Sequence, residues 1–176
     1  MRIFALPALV FCLISSTARS DEKLDTRNHT LKNIRGCEVV IERLNDASAA
    51  LGLTEQQLKA DVEQKLRAAG MEVDSKYSPM LAVTVTVLLD KSKTGVVFGY
   101  SAYVQVEFWQ SVTIEANGLK DFAVTWKRGL IIGDQNNSLG KEQIRSTVRN
   151  LIDRFIKACL EANSQPLPAF PANRRK

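Results

Sequence analysis

From Cys37 to Leu44 the chain alternates. Cys37, Val39 and Ile41 share one parity, and Glu38, Val40 and Glu42 share the other, which predicts a strand with one face toward a core. Leu58, Val62, Leu66 and Ala69 then recur at helical spacing behind Thr54, with Gln57 three residues on as its capping-box partner and Gly70 as the stop. Met71 to Val73 reads as a short strand. Leu81 to Leu89 is a stronger one, with Leu81, Val83, Val85, Val87 and Leu89 inward. Phe98 to Ile114 predicts a long strand, with or without a bulge. Phe98, Tyr100, Ala102, Val104, Val106 and Phe108 lie on one face, and Ser101, Tyr103, Gln105, Glu107 and Trp109 on the other. Asn117-Gly118 marks a turn, and Phe122, Val124 and Trp126 point inward from a last strand. Gly129, Gly133 and Gly140 read as a loop before a helix at about 142–162, whose stripe is Ile144, Val148, Leu151, Ile152, Phe155 and Cys159.

The order strand, helix, three or four strands, helix, with strands polar on one face, predicts an α+β two-layer sandwich. One mainly antiparallel sheet carries both helices on the same side. The inward Phe98, Phe108, Phe122, Trp126 and Phe155 predict a filled core.

The ends read differently. Residues 1–20 have a basic start, an apolar run from Ile3 to Ile14 and a small-residue zone ending at Ser20, the layout of a signal peptide. Phe11 before Cys12 is too bulky for a lipobox. Residues 21–35 have no apolar period and read as a flexible arm, residues 36–163 as one domain, and residues 164–176 as a Pro-rich basic tail. The expected location is periplasmic or secreted. No second apolar run has membrane-spanning length, so the mature chain is not expected to be an integral membrane protein.

Export revises the charge. The chain of 176 residues carries 24 basic and 19 acidic residues; loss of Arg2 and Arg19 lowers the net formal charge from +5 to +3. That modest excess, much of it in Arg174, Arg175 and Lys176, does not predict nucleic-acid binding. Export also removes Cys12 and leaves Cys37 and Cys159, an even pair in an oxidising compartment. Both point into the inner layer. Three strands after the first helix bring Cys159 to the start of the first strand and favour a disulfide; four carry it to the opposite end and favour two inert thiols.

Glu38–Leu44, Gly52–Leu58, Leu66–Met71, the Val-rich hairpin, Thr125-Trp126 and Ile144–Phe155 carry a resemblance. In the order of these segments, over roughly residues 38–162, the chain resembles a group of small exported bacterial proteins of uncharacterised function. In layout it is similar to the amino-terminal domain of TolB and to CsgG-like envelope domains, which are assembly and docking modules. The resemblance implies a binding role and carries over no active residues.

The residues offer little catalytic chemistry. His29 is the only histidine and lies in the arm with nothing to orient it; one His and three Cys are too few for a zinc cluster, so no metal or cofactor is expected. Gly133 to Lys141 has the wrong glycine spacing for a phosphate loop. Asp134, Asn136 and Ser138 start a calcium-loop pattern that Leu139 and Arg145 break. Glu38 and Glu42 share a face with Glu107, which leaves an acid/base pair as a small hydrolase's only route.

Tyr103 and Trp109, with Gln105 and Glu107 between them, form a polar-aromatic face. Large aromatics on a wet sheet face mark a contact surface. The competing outcomes are a bulge turning Trp109 inward, the arm covering the face, or a homodimer. The sequence therefore predicts a non-enzymatic envelope module that binds an envelope protein, a cell-wall component or a second copy through Tyr103, Gln105, Glu107 and Trp109. The alternatives are a small-molecule or lipid carrier and a small hydrolase.

Overall fold

The computed structural model describes residues 26–164, apart from 75, 77–78 and 136–139. The expected signal segment, the tail beyond Ser164 and the centre of the glycine-flanked loop lie outside the described residues.

Strands β1 (Gly36–Ile41), β2 (Glu72–Val73), β3 (Met80–Lys91), β4 (Val97–Thr113) and β5 (Lys120–Asp134) form one sheet in the order β2-β1-β3-β4-β5. Helices α1 (Asp46–Ala50), α2 (Glu55–Ala68) and α3 (Gly140–Ser164) complete the α+β sandwich. The long β3-β4-β5 meander is antiparallel, whereas β1 pairs parallel to both β2 and β3.

The α2 boundaries follow from local chemistry. The Thr54 side chain accepts a hydrogen bond from Gln57 N at 3.2 Å, and Gly70 takes φ +80° while Met71 N returns to Leu66 O at 3.0 Å. Helix α1 gives no periodic signal because it is only five residues long. It is made by Asn45, whose Oδ1 accepts from Ser48 N at 3.1 Å and Ser48 Oγ at 2.6 Å. Asn45 Nδ2 donates to Val87 O at 2.7 Å and fastens this turn to β3.

Between sheet and helices lies the core. Phe155 of α3 packs on Phe108 (ring centroids 4.9 Å apart) and edge-on to Trp126 (5.2 Å). Val39, Leu58, Val62, Leu81, Val83, Ile144 and Ile152 are buried around them. The polar flanks of the helices also face each other. Arg145 grips Asp61 through Nε and Nη2, each at 2.8 Å. Arg149 bonds Asp61 at 3.3 Å and Glu142 at 2.8 Å, and Lys65 reaches Asp153 at 2.5 Å.

Four expectations change. Phe98 is not in the core: the β3–β4 register passes from Gly99 to Val97, and the skipped Phe98 is half-exposed. Phe122 is not inward either. The β4–β5 register skips Thr125, so Trp126 stays buried while Val124, now opposite Trp109, and Phe122 cross to the other face. Gly129 and Gly133 lie inside β5 rather than in a loop. The flexible-arm reading fails from residue 26 onward: Thr26–Leu31 is a 3-10 helix, Leu31 is fully buried, and Thr30 Oγ1 donates to Thr125 O at 3.1 Å.

Candidate functional site

The helices pack on the sheet face formed by Cys37, Val39, Val83, Val104 and Phe108. The other face is built in cross-strand rows. Thr86, Tyr103 and Ile131 form one row; Thr84, Gln105 and Gly129 the next; Ala82, Glu107 and Lys127 the third; Met80 pairs with Trp109 beyond. Tyr103, Gln105, Glu107 and Trp109 are thus brought together by the alternation of β4, as the sequence predicts.

They are linked as well as adjacent. The Tyr103 hydroxyl donates to Gln105 Oε1, Gln105 Nε2 donates to Glu107 Oε1 at 2.7 Å, and Lys127 Nζ lies 3.6 Å from Glu107 Oε1. The Glu107 side chain therefore lies between an amide and an ammonium. A residue with a Cβ does not fit easily beneath this ladder. At Gly129 the added atom would stand 3.0 Å from the Tyr103 hydroxyl and 3.2 Å from Val104 O.

Apolar surface frames the ladder. Trp109 stays on this face and stacks on Phe122, with centroids 6.0 Å apart, because the irregularity shifts the partner strand instead of β4. Exposure is 38% for Tyr103, 40% for Phe122, 67% for Leu88 and 77% for Ile131. Sequence reasoning missed the last three as site residues. Leu88 carried a visible signal, since it shares the outward parity of Thr84 and Thr86. Ile131 carried none while Gly129 and Gly133 read as a loop, and Phe122 was hidden by the register shift.

The acidic trio does not assemble. Glu107 stands in the row of Ala82 and Val40, two strand spacings from β1, about 10 Å at ~4.8 Å per strand. Its partners are Gln105 and Lys127 rather than Glu38 or Glu42. His29 lies in the 3-10 helix, its carbonyl accepting from Lys32 N at 3.2 Å. Among the described residues, no three His, Cys, Asp or Glu side chains gather as a metal-binding group. No described helix is long and apolar enough to cross a membrane.

A second feature lies at the far end of the helical layer. A pocket of about 300 Å³ opens between the ends of α2 and α3 and the start of β1, with Ile34, Met71, Ile156 and Leu160 on its walls and Cys159 among its lining. Cys37 and Cys159 are free thiols, both buried. Both thiols are pushed up to about 12, Cys37 by burial and Cys159 by burial and, to a lesser degree, by the charge Cys37 would carry.

No protein-family model and no curated protein sequence matches the chain. Among solved structures, it is similar to the PelC dodecamer of Paraburkholderia phytofirmans at 14% identity and TM-score 0.39, over 67% of this chain and 87% of that one. A minor lipoprotein from Acinetobacter baumannii is similar at 14% identity and TM-score 0.39, over 76% and 98%. Rare lipoprotein B from Shewanella oneidensis is similar at 16% identity and TM-score 0.33, over 70% and 94%.

Proposed function

We propose that this chain is a non-catalytic module of the bacterial envelope that binds a protein or cell-wall partner through the outer sheet face. The observation that carries this reading is the exposure of Leu88, Tyr103, Phe122 and Ile131 on the sheet face opposite the helices. Apolar surface of this kind is costly to leave in water, at roughly 25 cal/mol per Å². The Tyr103–Gln105–Glu107 ladder supports the same reading, because these side chains are already hydrogen-bonded to one another and can be covered without losing those bonds. Export, expected from residues 1–20, would place the face in the envelope.

A photocrosslinker at Gln105, run beside the same protein carrying Trp109→Ala, tests the reading in envelope extract. One specific adduct, lost with Trp109→Ala, is the expected result. An adduct only between copies of the chain makes the face a homodimer interface. No adduct at all overturns the reading.

The carrier reading has one observation in its favour, the 300 Å³ pocket, whose walls mix Ile34, Met71, Ile156 and Leu160 with Arg35, Glu72 and Asn163. That volume is at the lower end of ligand pockets, roughly 300–1,000 Å³. The hydrolase reading has none, since Glu38, Glu42 and Glu107 stand apart.

A further inference from the structure

Cys37 opens β1 and Cys159 lies in the last turns of α3. Whether such residues meet is set by how often the chain reverses between them. Four strands follow α2, the number expected to carry Cys159 away from β1. Yet β2 and β3 both run parallel to β1, so β2 adds a strand without adding a reversal. From β3 the chain turns back in β4, forward in β5 and back again in α3, which therefore ends at the level where β1 begins. Other contacts agree with this placement: Asn33 N donates to the side chain of Asn163 at 2.9 Å, and Ile34, Met71 and Cys159 line one pocket. Both cysteines belong to one buried cluster. The charge that Cys37 would carry also raises the Cys159 thiol, a smaller effect than its burial.

We infer that Cys37 and Cys159 are joined by an intramolecular disulfide when the chain folds under oxidising conditions, tying the first strand to the end of the last helix. The step is thiol–disulfide exchange with a disulfide oxidant. The thiolate of one cysteine attacks a sulfur of the oxidant, forming a mixed disulfide and releasing a thiolate. The second cysteine, losing its proton, attacks the protein sulfur of that mixed disulfide. The intramolecular bond forms, the remaining sulfur of the oxidant leaves as a thiolate, and the two thiols of the reduced oxidant carry both electrons. Only the thiolate attacks, and burial suppresses it, so the exchange belongs to the folding chain, before α3 closes over β1. In the finished protein the same burial shields the bond from reductants.

The inference does not depend on the outer sheet face. It is tested with the full chain carrying Cys12→Ser, which leaves only the two cysteines in question. The protein is refolded from denaturant in a glutathione/glutathione disulfide buffer and quenched with maleimide in denaturant, and its intact mass is measured. The expected product is a monomer without adducts that takes up two maleimides after reduction. Reduction is also expected to lower its Tm by about 10–20 °C, from the entropy of the long loop released. Maleimide or glutathione adducts on the unreduced chain, or a disulfide-linked dimer, overturn the inference. Cys12→Ser/Cys159→Ser, refolded in parallel, should retain one alkylatable thiol after reduction of any glutathione adduct; if Cys37 instead links two chains in the Cys12→Ser protein as well, the inference fails.

Discussion

The Tyr103 hydroxyl stands 3.0 Å from the point that a Cβ on Gly129 would occupy, so the absence of a side chain on β5 is what lets the phenol lie across to Gln105. Gly129→Ala should displace the phenol and open the ladder at its first link. Gly129 sits in an edge strand, and the helix-covered core lies on the other face. The expected outcome is therefore a several-fold loss of partner capture with a Tm change of only a few degrees. Capture assays beside thermal melts check this.

The grip of Arg145 on Asp61 joins α2 to α3. The Arg145 hydrogen bonds hold the Asp61 carboxyl below its ordinary value, against the opposing effect of burial. A carboxylate whose folded value is depressed stabilises the protein above its unfolded value of about 3.9, and that contribution is lost as pH falls through the folded value. Asp61→Asn should cost about 1–3 kcal/mol at neutral pH. It should also flatten the loss of stability below about pH 4. Denaturant titrations at several pH values measure both effects.

Phe155 touches Phe108 and Trp126 together at the centre of the core. Phe155→Ala should destabilise the domain by about 3–5 kcal/mol, read from the denaturation midpoint. Phe155→Leu should cost less, because it leaves a smaller cavity.

In the reduced folded protein burial pushes both thiols up to about 12, so at pH 8 the thiolate is almost absent. Iodoacetamide should therefore label neither Cys37 nor Cys159 until denaturant is added. Labelling followed by mass spectrometry checks this, and rapid modification of the native protein would contradict it.

The architecture was legible where one signal was strong and local. Thr54, Gln57 and Gly70 bound α2, and the alternation in β3 and β4 separates the core face from the open one. Those signals also placed Tyr103, Gln105, Glu107 and Trp109 together. The parts that were not legible depend on pairing between strands. A skipped residue at Phe98 and another at Thr125 change which face an aromatic takes, and no single strand's pattern contains that information. The glycines of β5 look like loop residues until Tyr103 and the backbone of β4 are brought beside them. Leu31 gave no periodic signal because residues 26–30 ahead of it are all polar. The position of Cys159 required knowing that β2 and β3 run the same way, which follows from the sheet and not from a count of strands.

Coverage of the outer face by a partner in the envelope is tested most directly by hydroxyl-radical footprinting of the protein in intact cells and in purified form. Leu88, Tyr103, Phe122 and Ile131 are expected to be protected in cells relative to the purified protein, while Leu160, exposed on α3, reacts equally in both. Equal reactivity of Tyr103 and Ile131 in the two states would contradict the proposal.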